Sequence, residues 1–175
     1  MIARNRIWEE LKQAKTYIIC LQRYTDRGRR WSRLINGAII AISAIGALGS
    51  IYHTIFAIVG VSLVALTSIL KTALSGIMQS EQEFSELDRL IDFYSKYMNK
   101  IERLWYDFFI EAIEEKEMIH DLLALKEEEC DRYSLLNKLI RSISKKEQKE
   151  IDKISVEYIN IVYFNKFEDN GKDKV

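Results

Sequence analysis

Residues 34–70, LINGAIIAISAIGALGSIYHTIFAIVGVSLVALTSIL, run for 37 positions without one Asp, Glu, Lys or Arg, in a chain of which 30% is charged. A bilayer core of about 30 Å takes about 20 apolar residues as a helix. The run is nearly twice too long for one crossing and suits two short ones. Gly49, Ser50, Tyr52, His53 and Thr54 gather near its middle, and His53 is its only ionisable side chain. The pattern predicts a transmembrane hairpin with spans Leu34–Ser50 and Thr54–Leu70.

A buried helical hairpin inside a soluble domain is the rival, since each half is slightly short for a membrane. The flanks weigh against it. Arg27, Arg29, Arg30 and Arg33 crowd one edge, Lys71 marks the other, and Trp31 and Tyr52 stand where interfacial aromatics belong. Basic residues near span ends stay on the cytoplasmic side. Both outer flanks carry them and the turn carries none, so both termini are expected in the cytoplasm. The apolar run starts too late and continues too long for a cleavable signal peptide.

The rest of the 175 residues holds no proline and few glycines, so nothing punctuates it as a β-rich fold requires. The expected fold class is all-α: a basic amphipathic arm (1–33), the hairpin (34–71), a cytoplasmic coiled coil or helical bundle (72–143), and a C-terminal helix with a disordered tail from Glu168 (144–175). Cys20 and Cys130, in a reducing compartment, read as small core residues rather than a disulfide.

A formal net charge of zero hides three blocks. Residues 1–33 carry +6, residues 81–131 carry −10, and residues 132–175 carry +3. Opposite blocks on one side of a membrane attract, so the arm is expected to dock on the acidic helix. Arg27 to Arg33 lie close enough to the spans to meet anionic headgroups instead, at about 1 kcal/mol per basic residue.

Three stretches repeat with helical period. In the arm, Ile7, Leu11, Ala14, Ile18 and Leu21 form one apolar stripe, broadened by Trp8 and Tyr17. Ile77, Phe84, Leu87, Ile91, Tyr94, Met98, Ile101, Trp105, Phe108 and Ala112 follow a heptad interrupted by Glu81, and the seam resumes at Ile119 and Leu122. The aromatics exceed what a two-stranded coil prefers, so the partners are several helices, folded back within the chain or supplied by other subunits. Ser80 with Glu83 resembles a capping box. Tyr133, Leu136, Leu139, Ile140 and Ile143 predict another helix, Ser142 to Glu150 a polar connection, and Ile151, Ile154, Tyr158 and Ile161 a last helix.

Catalytic chemistry is not legible. There is no phosphate-cradling glycine loop, no Gly-x-Ser-x-Gly and no cysteine pair at metal spacing. The one metal-like motif, Glu117-Met118-Ile119-His120, needs a second copy and inward carboxylates to hold a di-iron centre, and alone it reads as solvated surface. No enzyme activity, metal or cofactor is expected.

The spans carry small and hydroxyl side chains: Asn36, Ser43, Ala47 and Ser50 on one face of the first, Ala65, Ser68 and Thr72, with Thr54, on one face of the second. Such faces pack helices closely. They also suit the lining of an oligomeric pore, where selection depends on radius and lining dipoles.

The arm, the basic stretch Arg23-Tyr24-Thr25-Asp26-Arg27-Gly28-Arg29-Arg30-Trp31 leading into the hairpin, and a long helix containing Phe84-Ser85-Glu86-Leu87-Asp88-Arg89-Leu90 together resemble the SLATT family, bacterial two-span proteins found with nucleotide-signalling and other conflict systems. The resemblance covers about Arg4 to Ile161 and rests on architecture and loose motifs. It implies a multi-pass inner-membrane effector of antiviral defence. On this reading a nucleotide or oligonucleotide from a partner synthase controls a pore that depolarises the membrane and arrests or kills the cell. Two spans cannot enclose a channel, so a homo-oligomer of four or more subunits is expected, with Phe84, Leu87, Ile91, Tyr94, Met98, Ile101, Trp105 and Phe108 as its seam. A phosphate-bearing ligand needs cations, which makes Arg23, Arg27, Arg132, Lys138, Arg141, Lys145 and Lys146 the binding candidates.

Overall fold

The computed structural model describes residues 2–52, 54–74, 80–140 and 143–165. All regular structure among them is helical: α1 (Ile2–Tyr52), α2 (Thr54–Leu74), α3 (Glu81–Phe109), α4 (Glu115–Leu139) and α5 (Lys145–Ile159), which runs into a π-helical segment, Asn160–Asn165. His53, Ile77, Arg141, Ser142 and the tail from Glu168 lie outside the described residues, as do the side chains of Ala47, Ser50, Tyr52 and Thr54.

The boundary expected at residue 33 falls inside one helix. α1 runs unbroken from the arm into the apolar run, because residues 22–33 hold no proline and only Gly28 costs helix stability, about 1 kcal/mol. The chain divides elsewhere, into Tyr24–Ser85 and a second compact unit of Met1–Arg23 with Glu86–Val175.

The second unit is a four-helix bundle. Glu10 meets Lys126 and Tyr17 meets Tyr133, the same offset along the chain each time, so α1 and α4 run parallel. Phe93 faces Arg132, Tyr97 faces Glu129 and Lys100 pairs with Glu128 at 2.6 Å, so α3 and α4 are antiparallel. The Lys15 ammonium lies 3.5 Å from the centroid of the Tyr158 ring and Arg23 pairs with Glu150 at 3.1 Å, which makes α5 antiparallel to α1. The helices alternate up and down.

The arm's stripe of Ile7, Leu11, Ala14, Ile18 and Leu21 is buried, with Leu87, Leu90, Tyr94, Tyr97, Met98, Ile101, Leu104 and Trp105 of α3, Met118, Leu122, Leu136 and Leu139 of α4, and Ile151 and Ile159 of α5. The stripe expected as an oligomer seam is therefore largely covered within one chain. Leu87, Tyr94, Met98, Ile101 and Trp105 are core, Phe84 is buried, and Ile91 and Phe108 are half-buried. Met118, not Ile119, takes the inner position at the start of α4.

Caps close the helices where the sequence supplies them. Ser80 and Glu83 form the capping box: Ser80 N donates to Glu83 Oε2 at 2.7 Å, and Glu83 N donates to Ser80 Oγ at 3.1 Å. Ser144 caps α5, accepting from Glu147 N at 3.2 Å, so 145–150 is helix and not the expected connection. α3 ends without glycine. Ala112 N donates to Asp107 O, Glu111 N donates to Phe108 O, and Glu111 sits at φ 58°, the left-handed residue of a Schellman close.

In the other unit the order is reversed. Ile40, Ile45, Val61 and Ile69 are each about two-thirds exposed or more (70, 71, 70 and 66%). The less exposed positions are Ile35, Ile39, Ile42 and Ser43 in α1, and Gly60, Val64 and Thr67 in α2, at the three- and four-residue spacing of one helix face each. Among the described residues no helix is long and apolar enough to cross a membrane. The described side chains of the run, 34–45 and 58–69, are each shorter than a span of about 20 residues.

Candidate functional site

The candidate pore faces separate by exposure. Ala65, Ser68 and Thr72 lie on the exposed side of α2, away from Gly60, Val64 and Thr67. Asn36 is exposed on α1, whereas Ser43 is half-covered beside Ile39 and Ile42. The hydroxyls are occupied locally. Ser43 Oγ donates to Ile39 O at 2.7 Å, Ser62 Oγ to Ile58 O at 2.8 Å, Thr67 Oγ1 to Leu63 O at 2.9 Å, and Thr72 Oγ1 to Ser68 O at 3.0 Å. A hydroxyl bonded to the carbonyl one turn back carries no unsatisfied donor, which is the form such residues take in an apolar surrounding.

The basic candidates do not converge on one pocket. Arg23 is held by Glu150, which keeps that carboxyl below its ordinary range and raises the guanidinium. The Arg27 guanidinium lies 5.7 Å from the centroid of Tyr24 in the other unit, and Arg132 stands 5.7 Å from the centroid of Phe93. Lys138, Lys145 and Lys146 are exposed around the α4–α5 corner.

The expected docking of the arm's cations on the acidic helix takes another form. The arm is seated by its apolar stripe, and the ion pair joining α1 to α4 has the opposite polarity, an arm carboxylate (Glu10) with an α4 ammonium (Lys126). Glu117 and His120 are exposed, and His120 Nδ1 lies 3.4 Å from its neighbour Asp121. Among the described residues no group of three His, Cys, Asp or Glu could hold a metal ion. Cys20 is buried as expected, whereas Cys130 is exposed; both are free thiols.

The bundle also contains a buried polar layer that periodicity alone did not reveal. Glu10 of α1 and Glu129 of α4 are both buried, with Lys126 between them in charge. Tyr97 donates its hydroxyl to Glu129 Oε2 at 3.4 Å, and Tyr94 faces the same carboxylate from beyond hydrogen-bonding geometry. The Tyr17 ring meets Tyr94 at a tilt, 5.0 Å between ring centroids and 55° between planes. Burial first, and the Glu10 charge second, hold the Glu129 carboxyl above its ordinary value, with Lys126 opposing. Burial likewise pushes Tyr17 up to about 12 and raises Tyr94 and Tyr97 further. A signal existed: Leu122, Glu129 and Leu136 are spaced by heptads, and Glu10 falls between Ile7 and Leu11 on the arm's apolar side.

The layer links α1, α3 and α4 through Glu10 with Lys126 and Tyr97 with Glu129. Compared with protein-family models, curated proteins and solved structures, the chain matches none.

Proposed function

We propose that this chain is an inner-membrane effector of bacterial antiviral defence: residues 34–70 form a transmembrane hairpin, the bundle lies in the cytoplasm, and several copies assemble around one axis into an ion-conducting pore. The observation that carries the reading is the opposite orientation of apolar side chains in the two units. Ile7, Leu87 and Ile101 are fully buried, whereas large apolar residues along α1 and α2 face outward on a surface without charge. A water-exposed apolar surface of this kind is rare unless something covers it, and the basic flank Arg27 to Arg33 favours a bilayer.

Pore formation and control are what the resemblance to the SLATT family implies. Two helices per chain cannot enclose a channel, so the exposed Ala65, Ser68 and Thr72 side of α2 becomes the lining on assembly. The controlling ligand is a nucleotide or oligonucleotide, with Arg23, Arg27 and Arg132 as guanidinium candidates.

The local bonding of the Ser62, Thr67 and Thr72 hydroxyls along α2 favours a second reading, a membrane-anchored scaffold that conducts nothing. Purified protein in liposomes decides between them. A pore releases potassium from ligand-free vesicles, Ser68→Leu abolishes release without reducing insertion, and expression depolarises cells. Tight vesicles over a range of voltages, with the protein inserted and oligomeric, overturn the pore.

A further inference from the structure

The α4–α5 corner of the four-helix bundle gathers exposed lysines around Glu147 and Glu150, the latter held by Arg23. α4 ends with Lys138 in its last turn, and α5 opens with Lys145 and Lys146 behind the Ser144 cap. Ile151, Ser155 and Ile159 are the buried side of α5. At 100° per residue, Lys146, Lys149 and Lys153 fall on the opposite side, and all are exposed. No ion pair within the bundle involves any of these lysines among the described residues.

The pairs Tyr17 with Tyr133 and Arg23 with Glu150 place this corner at the end of the bundle where α1 passes residue 23 and the bundle part of α3 begins. Through that end the chain passes to and from residues 24–85. The other end, around the α3–α4 turn, carries Asp107, Glu111, Glu114, Glu115, Glu117 and Asp121 against Arg6, Arg103 and Lys116.

We infer that the α4–α5 corner, Lys138, Lys145, Lys146 and Lys149, is a docking surface for the anionic phospholipid headgroups of a membrane. The inference rests on the membrane reading of residues 34–70, and the occupant follows from charge and shape. Lysines spread over a convex helix face match a plane of headgroups better than a single phosphate. The groove between α3 and α4 (350 Å³) sets Lys100 and Arg103 beside Asp107, Asp121 and Glu128, the groove between α1 and α4 (630 Å³) sets Arg6 and Lys126 beside Glu10 and Glu127, and neither contains a corner lysine. Each lysine near an anionic surface strengthens binding by about fivefold. The attraction decays over about 8–10 Å in salt. Lys145 and Lys149 are separated by about 6 Å along the helix, so the corner engages together.

The test uses the full chain reconstituted in phosphatidylcholine vesicles with and without 30% phosphatidylserine, acetylated by a water-soluble amine reagent and read by mass spectrometry. Lys138, Lys145, Lys146 and Lys149 are expected to react several-fold more slowly in the anionic vesicles, while Lys100 and Lys116 react equally in both. Equal rates at the corner in both vesicles overturn the proposal. So does protection by ATP in neutral vesicles to the same extent, which would reassign the corner to soluble nucleotides. Flotation separates the underlying membrane reading. With the four lysines changed to Gln, an inserted chain still floats with both vesicles and loses only the lipid-dependent protection. A wild-type chain that floats only with anionic vesicles, and loses flotation in the Gln variant, keeps the corner and sinks the hairpin. A wild-type chain that floats with neither sinks both.

Discussion

At the scale of single residues, Glu111 is the clearest misfit. A left-handed backbone costs a residue with a Cβ about 1–2 kcal/mol, and glycine escapes that cost. Glu111→Gly should raise stability by about 1 kcal/mol, read as a higher midpoint in thermal circular dichroism of the detergent-solubilised chain; a lower midpoint would show that the turn depends on the carboxylate. Glu129 makes a different prediction. Its carboxyl is raised in the folded protein, so the folded state holds a proton that the unfolded state has released. Stability therefore declines as pH rises from the ordinary carboxylate value, 4.5, through the raised one. Facing groups are Glu10 of α1, which adds to the effect, Lys126, which opposes it, and the hydroxyls of Tyr17, Tyr94 and Tyr97. Glu129→Gln keeps an acceptor for Tyr97 and should flatten that slope. An unchanged pH profile would remove Glu129 as its source.

At the scale of elements, α3 shows how local and tertiary signals combine. Its start is local: the reciprocal Ser80 and Glu83 bonds satisfy two backbone donors with side-chain acceptors, so Ser80→Ala should cost about 1 kcal/mol, and Ser80→Asp should largely restore it. A double variant with Glu83→Ala that costs the sum of two independent losses would show that the box is not a coupled unit. Its end is tertiary, because residues 110–114 contain neither glycine nor proline, and no composition cue separates α3 from α4. The antiparallel contacts of Tyr97 with Glu129 and Lys100 with Glu128 require the chain to reverse there.

At the scale of the whole molecule, the division is interleaved. The bundle takes its first helix from before residue 24 and the other three from after residue 85, so the apolar run is an insertion between bundle helices 1 and 2. If the bundle core is self-sufficient, replacing residues 24–85 by a flexible Gly/Ser linker should yield a water-soluble, helical monomer with a cooperative melt. An aggregated product, or one with exposed apolar surface that binds ANS, would show that the bundle needs the removed residues.

Helicity, the arm's apolar stripe, the α3 heptad and the capping box were all legible in the sequence, because each depends on spacing within one element. Which surface covers the heptad was not. Periodicity states that Leu87, Tyr94 and Ile101 must be buried, and it is silent on whether the cover comes from another subunit or from Leu11, Leu122 and Ile151 of the same chain. Only the tertiary fold decided that. The same holds for Glu10 and Glu129, which are polar by identity and buried by position. It holds too for the basic corner, since lysines 115 residues or more beyond Arg23 reach its end of the bundle only when α4 and α5 pack back along α1. Charge and hydrophobic pattern act along the chain over a few residues, whereas the helix packing that joins these sites acts across it.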